Sequence, residues 1–356
     1  MSLDELRKRI DSIDDEILAL LDQRATVVGD VARAKAATHT ATYDPERERQ
    51  VLDRLASRAG GRFPREAIRA VYREVMSACL ALQEPVKVAF LGPAGTFTHA
   101  AARTLFGLAA RYSEAATIAG VFDSVRRGDA KYGVAPIENS SEGSVTQAVD
   151  ELIEGGVLIR RELVLEVTHS LLSSAPELTS IARVYSHPQA LGQCRAWLAK
   201  NLAAAQLVQT PSTAAAAREA ATDPTSAAIG SALAGELYGL AVLREKIQDQ
   251  EGNATRFVML GTEDAPRTGR DKTTLVFSVR DGRGALRRVL EIFDAHAINL
   301  SRIESRPSRQ KAWDYVFLVD LEGHRDDDGV KNALAALAEK CPMVRSLGSY
   351  PRAPEV

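Results

Sequence analysis

The sequence predicts a multidomain chain: an all-α N-terminal domain, a central α/β domain of doubly wound character and a C-terminal α+β domain of ferredoxin-like order. Residues 1 to about 84 carry a helical apolar period with few glycines. From Val86 the texture changes to short apolar strands (VKVAFL, YGVAPI, VLEVTHSLL, VYSH, AAIGS), each followed by small or polar residues and a helical stretch. That alternation is a βα pattern. After a linker rich in charge, Pro and Gly (GTEDAPRTGRDK), residues 272–352 read strand, helix, strand, strand, helix, strand. This is the split βαβ order. The expected domain boundaries are 1–84, 86–263 and 272–352.

Bulk properties narrow the function. At 356 residues, 45% hydrophobic and 26% charged, the chain is an ordinary globular protein of two or three domains. A net charge of −2 points away from nucleic acid and membrane surfaces. Cys79, Cys194 and Cys341 lie far apart and the six histidines are scattered, so neither a disulfide framework nor a metal site is expected. No dinucleotide fingerprint is present, and no cofactor is expected. The charged N-terminus lacks an apolar h-region, no apolar run reaches membrane-spanning length, and the scattered cysteines suit a reducing compartment, so a cytoplasmic chain is the expectation.

The first helix opens with a capping box, Ser2 and Glu5. Its inner stripe is Leu3, Leu6, Ile10, Ile13, Ile17, Leu20, Arg24, Val27, Val31 and Ala34, an unbroken alternation of three and four. Arg24 interrupts this seam. A guanidinium there needs an anionic ligand, a carboxylate from a neighbouring helix, or a route out to solvent. Lys35 lies about three turns, or ~16 Å, beyond it on one face, a span that brackets a small dianion. Arg7 is ~42 Å from Lys35 along a straight helix, so the two share a site only across an antiparallel two-fold partner. So long a seam also needs covering. A second helix is expected from Asp44 (N-cap) and Pro45 (N1), with Arg47 and Glu48 in its first turn. A third runs from Pro64 to Gln83.

The stretches LRKRIDSIDDEILALLDQRATVVGDVARAK, DPERERQVL and SACLALQ resemble the all-helical chorismate mutases of intertwined-dimer type. The resemblance implies that Arg7 of a partner chain, Arg24 and Arg47 bind two carboxylates, and that Lys35 and Gln83 hydrogen-bond the ether oxygen. Asp44 and Glu48 would hold the ring hydroxyl and the remaining polar contacts, with Cys79 as a wall residue where the family often has serine. Such a pericyclic rearrangement needs only the compact conformer and stabilised negative charge.

In the central segment, GPAGTFTHAAA sets Thr96 and Thr98 at a strand-to-helix junction, either an anion-binding nest or an ordinary tight turn. Strand YGVAPI ends in ENSSEGSV, a polar cluster where α/β folds place ligands. SHPQALGQC follows another strand, and its His187 reads equally as structural or functional. Ser212 and Thr213 read as a helix cap rather than as catalysts. GVAPIENSSEGSV, SHPQALGQC and Thr255-Arg256-Phe257 together resemble prephenate dehydratase, a two-lobed fold like the periplasmic binding proteins with substrate in the cleft. The resemblance implies Thr255 as the acid that assists the leaving hydroxyl. It implies a lining of Glu138, Asn139, Ser140, Ser186, Gln193, Arg256 and Phe257.

DGRGALRRVLEIF and NLSRIESRP resemble a phenylalanine-binding ACT domain. Gly284, Ala285 and Leu286 at a helix start, with Glu304, Ser305 and Arg306, would hold L-phenylalanine as effector. Arg283 stands where that family commonly has proline, and a domain that only docks is the alternative. The whole order implies one enzyme of phenylalanine biosynthesis that takes chorismate to prephenate and prephenate to phenylpyruvate, as a homodimer or larger homo-oligomer. The competing reading is a non-catalytic amino-acid sensor with a degenerate mutase domain used for dimerisation.

Overall fold

A computed structural model describes residues 1–37, 45–83, 85–280, 282–307 and 315–353. The chain divides into two compact units, Met1–Lys87 with Arg103–Arg111, and Val88–Ala102 with Tyr112–Val356.

The first unit is built on three helices, α1 (Leu3–Ala37), α2 (Pro45–Arg58) and α3 (Arg65–Gln83). The capping box forms: the Ser2 amide donates to Glu5 Oε2 at 2.7 Å and the Glu5 amide to Ser2 Oγ at 3.2 Å. Helix α2 starts at Pro45 as expected; its proposed cap, Asp44, lies outside the described residues. Helix α3 packs on both α1 and α2. The seam of α1 stays bare, with Leu3, Ile10, Ile17 and Leu20 each at least half exposed.

The second unit begins with β1 (Lys87–Leu91), α4 (Phe97–Phe106), β2 (Arg111–Ala115), α5 (Ile118–Arg126), β3 (Tyr132–Asn139), β4 (Gly143–Ser144), α6 (Thr146–Glu154) and β5 (Leu158–Glu166). Then follow β6 (Ser170–Ser173), β7 (Arg183–Ser186), α7 (Pro188–Gln193), α8 (Arg195–Asn201), β8 (Gln206–Gln209), α9 (Thr213–Ala220), β9 (Ser226–Gly230), α10 (Ala232–Tyr238), β10 (Ala241–Arg244) and β11 (Ala254–Gly261). These strands make two sheets, β2-β1-β3-β11-β5 with β4 on β3, and β10-β6-β9-β7-β8. The chain crosses between the sheets twice, at 167–169 and 245–253. The stretch VLEVTHSLL, expected as one strand, is therefore two: β5 ends at Glu166, and Ser170 opens β6 in the other sheet. Strands β2, β8 and β10 lie at sheet edges and are largely exposed, so they lack the apolar signal that marks the inner strands.

The C-terminal portion is β12 (Asp271–Ser278), α11 (Ala285–Ala295), β13 (Leu300–Pro307), β14 (Tyr315–Glu322), α12 (Asp328–Lys340) and β15 (Met343–Pro351), with sheet order β13-β14-β12-β15. This is the expected split βαβ arrangement. The central strands of its sheet, β12 and β14, are buried on both faces. Leu275, Phe277 and Val319 pack against α11 and α12, while Val276, Leu318 and Tyr350 join the core of the first α/β sheet. Strand alternation sends neighbours to opposite faces, which explains the continuous apolar run in β12. Gly348 permits the closest approach. It has φ +137°, and a Cβ there would collide with the Ile159 carbonyl oxygen.

Candidate active sites

Helices α1, α2 and α3 enclose a hollow of about 510 Å³. Six predicted residues line it: Arg24 and Lys35 from α1, Arg47 and Glu48 from α2, Cys79 and Gln83 from α3. Arg24 Nη1 donates to Cys79 Sγ at 2.8 Å. Among the described residues Arg24 has no carboxylate partner, so the neighbouring-helix ion pair is not what holds it. Gln83 Oε1 is buried and unpartnered. Arg7 is absent from the lining and sits 3.8 Å from Asp4 on the exposed N-terminal part of α1. Arg54 also lines the hollow and was missed. Its spacing of seven from Arg47 puts it on the same helix face and was the available signal.

The second site is a cleft of about 290 Å³ lined by both α/β sheets. Asn139, Gln193, Thr255 and Phe257 line it, and so do Thr96, Thr98 and His187, whose roles the sequence leaves open. Strand register decides the rest. Thr255 pairs with Asn139 and Arg256 with Glu138, and the register then slips so that Phe257 pairs with Pro136. Ile137 is the extra residue of this bulge. Alternation puts Thr255 and Phe257 towards the cleft and Arg256 on the opposite face, with Glu138 beside it.

Arg256 and Glu138 were expected in the cleft, and the register corrects that placement. Arg256 donates to Glu162 at 2.7 Å, Asp320 at 2.6 Å and the Tyr350 hydroxyl at 2.8 Å. Glu138 lies 3.4 Å from Arg256 and 3.8 Å from Arg302. Burial opposes the charge on Arg256, yet Tyr350, Asp320 and Glu162 raise its pKa overall. Burial alone would lift the Asp320 carboxyl, but the Arg256 guanidinium and the Thr274 hydroxyl hold it below the usual range. Burial pushes the Tyr350 phenol well above its usual value.

Two serines are also placed away from the cleft lining. Ser186 is fully buried and donates to the Ile229 carbonyl at 2.8 Å. Ser140 Oγ accepts from the Ala254 amide at 2.9 Å, bracing the entry to β11.

The acid candidate has a defined neighbour. Asn139 Nδ2 donates to Thr255 Oγ1 at 2.9 Å, while Asn139 Oδ1 accepts from the amides of Ser141 and Glu142. Those backbone donors fix which end of the amide is which. Thr255 thus accepts at oxygen, which polarises the hydroxyl and leaves its proton for another acceptor. Sequence reasoning missed His169 and Asn253, which also line the cleft. His169 sits in a crossing that the sequence disguised as strand interior. Asn253 lies two residues before Thr255 in the other crossing. Ser212 and Thr213 line the cleft too, and Ser212 Oγ caps α9 through the Ala215 amide at 3.0 Å, as expected. His187 Nδ1 accepts from the Gln189 amide at 3.3 Å, so it is both a cap and a wall. Burial, then Asp249, pushes the Cys194 thiol up to about 12, too high for a nucleophile at neutral pH.

In the C-terminal portion, Gly284 adopts φ +74° as N-cap of α11, followed by Ala285 and Leu286. Glu304 and Arg306, expected to hold an effector, are turned by alternation towards the α/β portion. Glu304 Oε2 accepts from Ser144 and from Arg302 at 2.7 Å, and Arg306 lies 3.5 Å from Asp150. Ser305, between them, is exposed.

A cationic helical hollow and a two-lobed cleft built on amides and a polarised hydroxyl define an enzyme with two separate sites. The family models agree with this division: Chorismate mutase type II matches residues 6–84, Prephenate dehydratase 88–265 and ACT domain 273–339. The bifunctional chorismate mutase/prephenate dehydratase of Aquifex aeolicus (strain VF5) is 45% identical over 355 residues, covering 99% of this chain and 98% of that protein. That of Pseudomonas aeruginosa is 42% identical over 99% and 98% of the two chains. The crystal structure of Arthrobacter aurescens prephenate dehydratase in complex with L-Phe is 41% identical, with a TM-score of 0.69 over 76% of this chain and 92% of that one. The chain belongs to the bifunctional chorismate mutase/prephenate dehydratase family, and carries both activities. Among the described residues, no helix is long and apolar enough to cross a membrane.

Proposed function

We propose that the helical hollow rearranges chorismate as a site shared between two chains, and that the cleft converts prephenate to phenylpyruvate under feedback by L-phenylalanine. In the hollow, Arg24 and Arg47 hold substrate carboxylates while Lys35 and Gln83 face the ether oxygen, where negative charge develops as the bond breaks. Arg7 of a second chain completes the cage. The bare apolar seam of α1, together with the absence of Arg7 from its own chain's hollow, supports an antiparallel partner. The same interface makes a homodimer the working unit, in the cytoplasm.

In the cleft, Thr255 gives its proton to the departing ring hydroxyl. The carbon–carboxylate bond breaks to release carbon dioxide, its electron pair enters the ring, and the carbon–oxygen bond breaks to release water. The Thr255 alkoxide regains a proton from solvent. Aromaticity drives the step, and the protein orients the acid and excludes water. The observation that carries this reading is the 2.9 Å hydrogen bond from Asn139 Nδ2 to Thr255 Oγ1. Regulation is assigned to the C-terminal portion because its Asp320 and Tyr350 bond Arg256, next in sequence to Thr255. The test is an assay of the purified protein with chorismate, then with prephenate, each with and without L-phenylalanine. Phenylpyruvate should form from both substrates. A protein that binds phenylalanine but leaves prephenate unchanged would be the sensor instead.

A further inference from the structure

A chain of side-chain hydrogen bonds runs from the backbone to His169, and each link fixes the next. The amides of Ser141 and Glu142 donate to Asn139 Oδ1, at 2.9 and 3.2 Å, so Asn139 Nδ2 must be the donor to Asn253 Oδ1 at 2.8 Å. Asn253 Nδ2 is then the group directed at Gln193 Oε1, 3.4 Å away. Gln193 Oε1 lies 2.8 Å from His169 Nε2, and as a carbonyl oxygen it only accepts. His169 therefore carries its proton on Nε2. Its Nδ1 is buried with no partner, so Gln193 is the ring's one polar contact among the described residues. The Phe97 ring meets the imidazole edge to face at 5.7 Å and fixes its plane. Burial holds the His169 pKa below its ordinary value, against the opposing pull of Gln193, so the ring is neutral near pH 7.

This polarity determines what the cleft offers a substrate. With Oε1 facing two donors, Gln193 has only its amide N–H groups left to present. A donor that gripped the departing carboxylate would oppose its loss, so Gln193 suits the carboxylate that the product keeps. We infer that His169 is a positioning residue of the dehydratase, acting through its Nε2–H to hold the Gln193 amide in the orientation that donates to the retained carboxylate of prephenate.

This rests on the cleft being the prephenate site, and isosteric replacements separate the two claims. Gln places an amide nitrogen near the position of imidazole Nε2, whereas Asn reaches only the position of Nδ1. His169→Gln should keep the KM for prephenate within about twofold, whereas His169→Asn should raise it about tenfold or more, the scale of a hydrogen bond to a charged group. A contact made equally to ground and transition states moves KM and leaves kcat within a few-fold. Gln193→Ala should show the same KM rise, and adding His169→Asn to it should add little. If the unsubstituted protein turns prephenate over but the Gln and Asn variants behave alike, or the double variant is additive, the His169 assignment is wrong. If the unsubstituted protein leaves prephenate intact, the site reading itself fails.

Discussion

Asp320 Oδ2 in the C-terminal portion lies 2.6 Å from Arg256 Nη1 in the α/β portion, and both side chains are buried. Arg256 is followed by Phe257 and preceded by Thr255, both of which line the cleft. One strand thus presents its chemistry on one face and its attachment to the C-terminal domain on the other. Removing one partner of a buried pair leaves the other charge uncompensated. Asp320→Ala should therefore destabilise the unit by about 3 kcal/mol, at the lower end because Glu162 still faces Arg256. Urea unfolding measures the loss. Dehydratase activity should fall with it, and mutase activity should remain. Unchanged unfolding would mean that Glu162 alone satisfies the guanidinium.

The same carboxylate sets an acid limb on stability. Its folded pKa is depressed, while an unfolded Asp titrates at about 3.9. The unfolded state therefore takes up the proton first as pH falls. The contribution is complete above about pH 5 and drains away as pH drops through the unfolded and then the folded value. Thermal midpoints recorded from neutral to acid pH should decline less steeply for Asp320→Asn than for the unsubstituted protein. Parallel declines would assign the acid limb to other groups.

Gly348 tests how tightly β15 seats on β5. Its φ of +137° disfavours any L side chain, and a Cβ would meet the Ile159 carbonyl. Gly348→Ala should cost on the order of 3 kcal/mol. Both the dehydratase and its response to phenylalanine should weaken, and calorimetry should show the loss in the second unit.

Asn139 is predicted to act on Thr255 rather than on folding alone. Thr255→Val, which keeps the shape and removes the acid, should abolish turnover of prephenate. Asn139→Ala should lower kcat about a hundredfold, within the range for general acid catalysis. Asn139→Asp supplies an acceptor in place of the donor to Thr255, and should be no better than Ala. Recovery of activity in the Asp variant would show that polarisation of Thr255 is not the role of Asn139.

Much of this was legible because backbone periodicity carries it. The seam of α1, the capping box and the six strands and helices of the C-terminal domain are local patterns, and they appear where the sequence put them. The cleft was legible only as a set of junctions. Arg256 and Glu138 sit between residues that line the cleft, and only the bulge at Ile137 and the strand faces tell them apart. His169 was hidden because VLEVTHSLL reads as one apolar strand, although the chain changes sheets within it. Glu304 and Arg306 were visible as a motif, but their partners Ser144 and Asp150 lie more than 150 residues away, beyond any local signal.

The mutase makes the sharpest claim about assembly. Arg24 lines the hollow of its own chain, whereas Arg7 does not. If each site takes Arg24 from one chain and Arg7 from the other, neither Arg7→Ala nor Arg24→Ala alone should leave an active homodimer. Unfolded and refolded together, the two variants should form mixed dimers. In each mixed dimer one site carries both substitutions and the other carries neither. With half the dimers mixed and one of two sites restored, about a quarter of the unsubstituted mutase activity should return, as two-fold symmetry requires. Dehydratase activity should be unaltered throughout, since its cleft lies in the other unit. A mixture that stays inactive while forming mixed dimers would show that Arg7 and Arg24 do not serve one site across the interface. Full activity in Arg7→Ala alone would show that a single chain's hollow suffices, and the bare seam of α1 would then need another explanation.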